Sequence, residues 1–284
     1  MITSADPMRG ATTTIHTRTT SAHQPRARRN IRHAGPVLIA ISSNALTRPP
    51  VCPHPLSLVF IHIARHLQQP STMASPAFTV YYWQIKGRGE MIRLVLEAVG
   101  VPYENKYPKD WPTEKPSLPF GQLPALLITD PKTKQTTTMA QSAAIVRYLA
   151  RKFNLVAADP MGAAIADSIF ESAVDVMNAM VKVVWGTPEA DKPAALEKFK
   201  TEALPPFIKA HTAFLEKNGN NGIYVGDKLT YVELTVFNLI NELNTLIPDS
   251  VTAKSAPALW KVRETVANHD KIKAYLVSPR LHSK

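Results

Sequence analysis

Between residues 78 and 153 the hydrophobic pattern changes period several times; after residue 160 it keeps one period to the end. That order narrows the available folds more than any other feature of the chain. Phe78-Thr-Val-Tyr-Tyr-Trp83 is dense in β-branched and aromatic residues and reads as a strand. Lys86-Gly87-Arg88-Gly89 reads as a loop, and a helix follows in which Ile92, Val95, Leu96 and Val99 recur at i, i+3, i+4 and i+7. Gly100-Val101-Pro102 ends it. Residues 103–107 form a second expected strand. Residues 110–120, broken by Pro112, Pro116 and Pro119 and followed by Gly121, read as a long loop. A strand over 124–129, a turn at Asp130-Pro131-Lys132 and a return strand over 135–139 make a hairpin, and a helix over 142–153 follows. Beyond Pro160 only helical spacing is found, over 165–185, 194–217, 232–247 and 259–266, with a short helix over 272–277. The pattern predicts an α/β domain with a small mixed sheet over 73–156 and an all-α domain over 157–284.

Charge divides the chain differently. Residues 1–72 hold eight Arg, no Lys and one acid, Asp6, a net charge of +7 out of the total of +11. They also hold eight Pro and six of the nine His. No helical or alternating pattern persists there, so this segment is expected to be a disordered leader, either an over-extended start before Met73 or an organelle transit peptide. The rest of the chain is nearly balanced and has no basic stripe with interleaved aromatics, so no nucleic-acid partner is expected. The longest apolar stretch, 55–64, is too short to span a bilayer, so no membrane association is expected. The single cysteine, Cys52, excludes an intramolecular disulfide framework and a Cys-rich metal site.

Three motifs are specific. Tyr82-Trp-Gln-Ile-Lys-Gly87-Arg88-Gly89-Glu90, Asp110-Trp111-Pro112 with Lys115 and then Leu118-Pro119-Phe120-Gly121-Gln122-Leu123-Pro124, and Gln141-Ser142-Ala143-Ala144-Ile145-Val146-Arg147-Tyr148-Leu149 occur in this order. Together they resemble the sigma class of soluble glutathione transferases over residues 73–284. The resemblance implies a thioredoxin-like N-terminal domain followed by an all-helical domain, usually a homodimer in the cytoplasm, or a mitochondrial protein were residues 1–72 a presequence. It also implies a cis bond before Pro124.

Glutathione carries a thiol, two carboxylates and an α-amine. A free thiol has a pKa of about 8.5, whereas the thiolate is the nucleophile. A hydroxyl aimed at the sulfur stabilises the thiolate. Tyr82, six residues before Arg88, matches the family's tyrosine; Tyr81 beside it is expected to face the other way. Arg88 matches the arginine that supports that tyrosine. Trp111 and Lys115 match residues that hold the glycyl end. Gln122, Leu123 and Pro124 match the segment whose backbone pairs with the cysteinyl part. Gln141 and Ser142 open a helix whose N–H groups suit the γ-glutamyl carboxylate, Ser142 also being a candidate N-cap. Asp175 matches an acid that reaches the ligand's amine across the dimer. Val174 replaces one acid of the divalent-ion cluster of prostaglandin-synthase relatives, although Glu171 is present, so no metal is expected. Thr230 and Glu233 fit a capping box.

The implied activity is transfer of glutathione, as co-substrate and without a further cofactor, to small hydrophobic electrophiles. Two alternatives use the same scaffold: glutathione-dependent prostaglandin isomerisation or peroxidase work, and a non-catalytic crystallin-like or scaffolding role.

Overall fold

The computed structural model describes residues 77–283. The expected leader, 1–72, and Cys52 lie outside the described residues. Four strands, β1 (Ala77–Tyr81), β2 (Tyr103–Lys106), β3 (Ala125–Thr129) and β4 (Thr136–Ala140), form one sheet in the order β2-β1-β3-β4. β1 is parallel to β2 and antiparallel to β3, and β3 is antiparallel to β4. Helix α1 (Gly87–Val99) crosses between β1 and β2, as a parallel pair requires. A short α2 (Trp111–Glu114) precedes β3, and α3 (Ser142–Lys152) follows β4. This is a thioredoxin-like domain.

Helices alone follow: α4 (Pro160–Trp185), α5 (Lys192–Lys198), α6 (Leu204–Lys217), α7 (Tyr231–Leu246), α8 (Pro257–Ala267) and α9 (Asp270–Leu276). The α4 start is capped by Asp159, whose side chain accepts the Gly162 N–H at 2.8 Å, with Pro160 in the first turn, where a missing N–H costs nothing. The α7 start carries the expected capping box: the buried Glu233 accepts the Thr230 N–H at 2.7 Å, and also the Tyr224 N–H at 2.8 Å.

Several boundaries differ from the sequence reading, each for a local reason. Gly87 to Gly89 belong to the first turn of α1, because a helix start tolerates glycine and leaves its N–H groups free for other partners. The proline-rich loop contains α2 and two 3₁₀ turns, Lys115–Ser117 and Pro119–Gly121, with Pro112, Pro116 and Pro119 all in first-turn positions. The single helix read over 194–217 is two helices joined by a π-helical turn, Phe199–Ala203, just before Pro205-Pro206. β1 ends at Tyr81, one residue before the tyrosine of interest.

The core runs continuously from the sheet into the bundle. Phe78, Val80 and Leu126 pack with Ile92, Leu96, Ile145 and Leu149, and the cluster extends through Phe170 and Met177 to Leu239 and Ile240. α7 is buried at every residue from Tyr231 to Ile240, so it is enclosed by its neighbours and lacks a polar face over that stretch. It packs on both α1 and α4 and so joins the sheet domain to the bundle.

His211 on α6 is buried, with Nδ1 2.7 Å from the Tyr224 hydroxyl and the Phe207 ring beside it. Burial lowers its pKa to about 4. The neutral imidazole is therefore the folded form, and the stability it confers is full above the unfolded value of about 6.5 and is lost as pH falls toward 4. His211→Gln should flatten the acid limb of a urea-denaturation series between these pH values, removing a loss of roughly 2–3 kcal/mol. An unchanged slope would place the acid sensitivity elsewhere.

Candidate functional site

Tyr82 lies just past the end of β1, yet the ladder still holds it: its N–H donates to the Lys106 carbonyl at 3.0 Å. The residue is 8% exposed, and its ring lies against two glycines of the α1 start. A Cβ on Gly89 would stand 2.5 Å from Tyr82 Cδ1 and 2.8 Å from Cγ; one on Gly87 would stand 3.0 Å from the hydroxyl oxygen. Gly87 also has φ +43°, which favours glycine. Both glycines of the Gly-Arg-Gly motif are thus explained by the ring they accommodate. Tyr81 is fully buried, with the Lys106 ammonium 4.2 Å from its ring centroid, and it does not line the cavity described below.

Burial pushes the Tyr82 hydroxyl above its usual pKa. The Arg88 peptide N–H and the charges of Arg88 and Arg93 oppose that shift, while Glu242 adds to it. The net direction is upward, so at neutral pH Tyr82 keeps its proton and can donate it in a hydrogen bond.

The loop around this tyrosine is held from several sides. Arg88 Nη2 donates to Asn178 Oδ1 on α4 at 2.7 Å. Asn238 Nδ2 on α7 donates to the Gly87 carbonyl at 3.1 Å. The fully buried Arg93 donates to the Ile85 carbonyl at 3.0 Å, to Asn105 at 2.9 Å and to Glu90 at 2.9 Å, and Tyr275 on α9 donates to the other Glu90 oxygen at 2.8 Å. Nε and Nη1 of Arg93 are thus paired, while its buried Nη2 has no hydrogen-bond partner.

Tyr82 opens onto a cavity of about 690 Å³. Ile85, Met177, Met180, Val184 and Leu246 make it mostly apolar, and Trp83 and Trp185 stand among its lining residues, exposed. The helix reaching to Trp185 and the loop after Tyr82 shape it together with Glu242, Thr245 and Leu246 of α7. Burial raises the pKa of the Glu242 carboxyl, partly offset by the Lys86 charge and by the Gly87 peptide N–H. No local pattern marked these α7 residues, since the helix carries polar side chains at several other positions, among them Glu233, Thr235, Asn241 and Asn244.

Of the remaining expected residues, Arg88 and Leu123 line the same cavity as Tyr82. Trp111 packs edge-on against Trp83, with ring centroids 5.4 Å apart. Lys115 runs alongside Gly121, whose Cβ would lie 3.3 Å from its side chain. The Leu123–Pro124 bond is cis. Gln141 Nε2 donates to Gln122 Oε1 at 3.0 Å, which ties the two segments together. Ser142 is the first helical residue and not the cap: Gln141 occupies that position at φ +70°, and no side chain caps the helix. The first N–H groups of α3 are therefore left for another acceptor. Asp175 stands apart, exposed on α4 and away from the cavity lining. Glu171 is paired with Arg147. Among the described residues no three His, Cys, Asp or Glu side chains are grouped as metal ligands would be, and no helix is long and apolar enough to cross a membrane.

Comparison with known proteins agrees with this arrangement. The family model for the glutathione S-transferase N-terminal domain matches residues 78–151, and that for the C-terminal domain matches residues 174–279. Glutathione S-transferase 1 of Ascaris suum is 36% identical over 179 residues, covering 61% of this chain and 84% of that protein. Among solved structures, the sigma-class transferase of Fasciola hepatica aligns with a TM-score of 0.65 at 27% identity, covering 71% of this chain and 95% of the other. Prostaglandin synthase D of Nilaparvata lugens aligns with a TM-score of 0.64 at 25% identity, covering 72% and 100%. With both halves matched in order around one shared cavity, the chain belongs to the glutathione S-transferase family.

Proposed function

We propose that this protein conjugates glutathione to small hydrophobic electrophiles, with Tyr82 stabilising the glutathione thiolate. The observation that carries the reading is a single protonated phenol at the wall of an apolar cavity, supported by a backbone N–H and kept from ionising by burial. Such a hydroxyl donates to a thiolate and loses nothing by doing so, because its own anion is disfavoured. The thiol gives its proton to solvent. The sulfur then attacks the electrophilic carbon held among Met177, Met180, Val184 and Leu246; the C–S bond forms as the leaving group departs with its electron pair.

The remaining residues supply binding. The Trp111 indole N–H and the Lys115 ammonium suit the glycyl carboxylate. The extended backbone at Gln122 and Leu123, turned by Pro124, pairs with the cysteinyl residue as an added strand would. The uncapped start of α3 at Gln141 and Ser142 suits the γ-glutamyl carboxylate, since free N–H groups and the helix dipole both favour an anion. In this reading the protein is a cytoplasmic homodimer, and Asp175 reaches the α-amine of glutathione bound to the other copy. Phe120, 76% exposed beside the binding segment, fits a surface that a second copy covers.

Glutathione-dependent prostaglandin isomerisation is a second reading, favoured by the likeness to the Nilaparvata lugens prostaglandin synthase. It uses the same thiolate, and product analysis on prostaglandin H separates the two. The intact tyrosine and its cavity count against a purely scaffolding role.

Conjugation of glutathione to a chromogenic aryl halide by the full chain tests the leading reading. Tyr82→Phe should lower kcat/KM by roughly ten-fold or more, equivalent to about 1.4 kcal/mol of transition-state stabilisation, with glutathione affinity little changed. Equal activity in both proteins, or none in the wild type, would overturn it. Gly89→Ala makes a steric prediction: the new methyl must displace the Tyr82 ring, so kcat/KM should fall by a similar factor and the melting temperature should drop, as for an overpacked site costing about 1–3 kcal/mol. Unaltered kinetics would mean that the position of the ring is not critical.

A further inference from the structure

Asn238 is a carboxamide in the stretch of α7 that is buried at every residue, 2% exposed between apolar neighbours. A buried amide is costly unless it is hydrogen-bonded, and its Nδ2 is bonded to one acceptor, the Gly87 carbonyl, at 3.1 Å. That carbonyl and the Arg88 N–H belong to the same peptide unit. In a planar trans peptide the C=O and N–H point in opposite directions, so fixing one aims the other. The hydroxyl oxygen of Tyr82 lies over this turn, 3.0 Å from where a Gly87 Cβ would stand, and the Arg88 peptide N–H holds the phenol's pKa down against burial. One turn further along α7, the Gly87 N–H of the preceding peptide acts on the Glu242 carboxyl in the same sense. Asn238 therefore holds the peptide unit that lies beside the phenol. No side chain intervenes, since a Cβ there would lie 3.0 Å from the hydroxyl it would crowd.

We propose that Asn238 is a positioning residue for the Tyr82 hydroxyl: by holding the Gly87 carbonyl it aims the Gly87–Arg88 peptide N–H at the phenol oxygen and strengthens that phenol as a donor. A carbonyl that accepts a hydrogen bond polarises its own peptide N–H, and an oxygen that accepts one becomes a better O–H donor, so the effects reinforce each other along the chain. The charged groups that face Tyr82 act in parallel: Arg88 and Arg93 favour its anion and Glu242 opposes it. Asn238 differs from them in acting through direction rather than charge. The consequence is that the seating of α7 on the α1 start tunes the chemistry of the site, although α7 contributes no group to the Tyr82 oxygen.

This inference rests on the role given to Tyr82 above, and the test separates the two. Asn238→Leu keeps the size and removes the donor; Asn238→Ala is a second, less crowded variant. Each is made in the full chain, with Tyr82 and with Tyr82→Phe. The first readout needs no glutathione: the titration of Tyr82 followed by the ¹³C shift of its labelled ring carbon. Loss of the amide should raise the Tyr82 pKa by about half a unit or more. The second is a double-mutant cycle on aryl-halide conjugation, in which Asn238→Leu should lower kcat/KM by roughly ten-fold with Tyr82 present and have little effect in the Tyr82→Phe background. A Tyr82 titration that does not move, or equal loss in both backgrounds, would reduce Asn238 to a domain contact and overturn the proposal. If the wild type forms no conjugate, the role of Tyr82 in transfer fails, while the titration still decides whether Asn238 governs the phenol.

Discussion

An aromatic ring lying against two glycines sets the geometry on which the site depends. Tyr82 can occupy its place only because Gly87 and Gly89 have no side chains, and the first turn of α1 can approach β1 only because the ring fills the space between them. The contact joins a strand end to a helix start, where backbone N–H groups are free to bond other partners. The Gly87 carbonyl accepts from Asn238, while the Arg88 and Gly87 N–H groups hold down the pKa of Tyr82 and of Glu242. The thioredoxin-like half thus supplies the hydroxyl, and the helical half holds the peptide that supports it.

The electrostatics follow from the same packing. Burial is the largest influence on Tyr82 and on Glu242, and in both it favours the neutral form. A phenol that keeps its proton is the species needed to donate to a thiolate. The nearby charges are held by partners: Arg93 by Glu90, Arg88 by Asn178, and Glu90 in turn by Tyr275 from the last helix. These pairs connect α9 through α1 to the loop at Ile85, so side chains from residue 82 to residue 275 contribute to one local geometry. Their value lies in fixing direction, since replacement of a buried ion pair by apolar groups is often neutral for stability.

Much of this was legible in the sequence. The strand-helix-strand-hairpin-helix order was visible in the change of hydrophobic period from two to 3.6, and the bundle in the absence of any further change. Tyr82, Arg88 and Leu123 were found by motif, and they line one cavity. What was not legible depends on tertiary approach. The glycines at 87 and 89 read as loop residues, because only a packed ring reveals why a side chain is forbidden there. Pro112, Pro116 and Pro119 read as breakers, whereas each sits in a first turn where proline is tolerated. Ser142 resembled a cap, but Gln141 takes that position with a left-handed backbone. Asn238 and Glu242 lie about 150 residues from the loop they hold, a separation no local pattern reports.

In the proposed reaction Tyr82 lowers the cost of forming a thiolate on bound glutathione. The most direct measurement is the pH titration of the thiolate ultraviolet absorbance of glutathione bound to the full chain. The bound thiol should titrate at least about one unit below its free value of about 8.5, and Tyr82→Phe should return it toward that value. A bound thiol that titrates where the free one does, or that is indifferent to Tyr82→Phe, would contradict it.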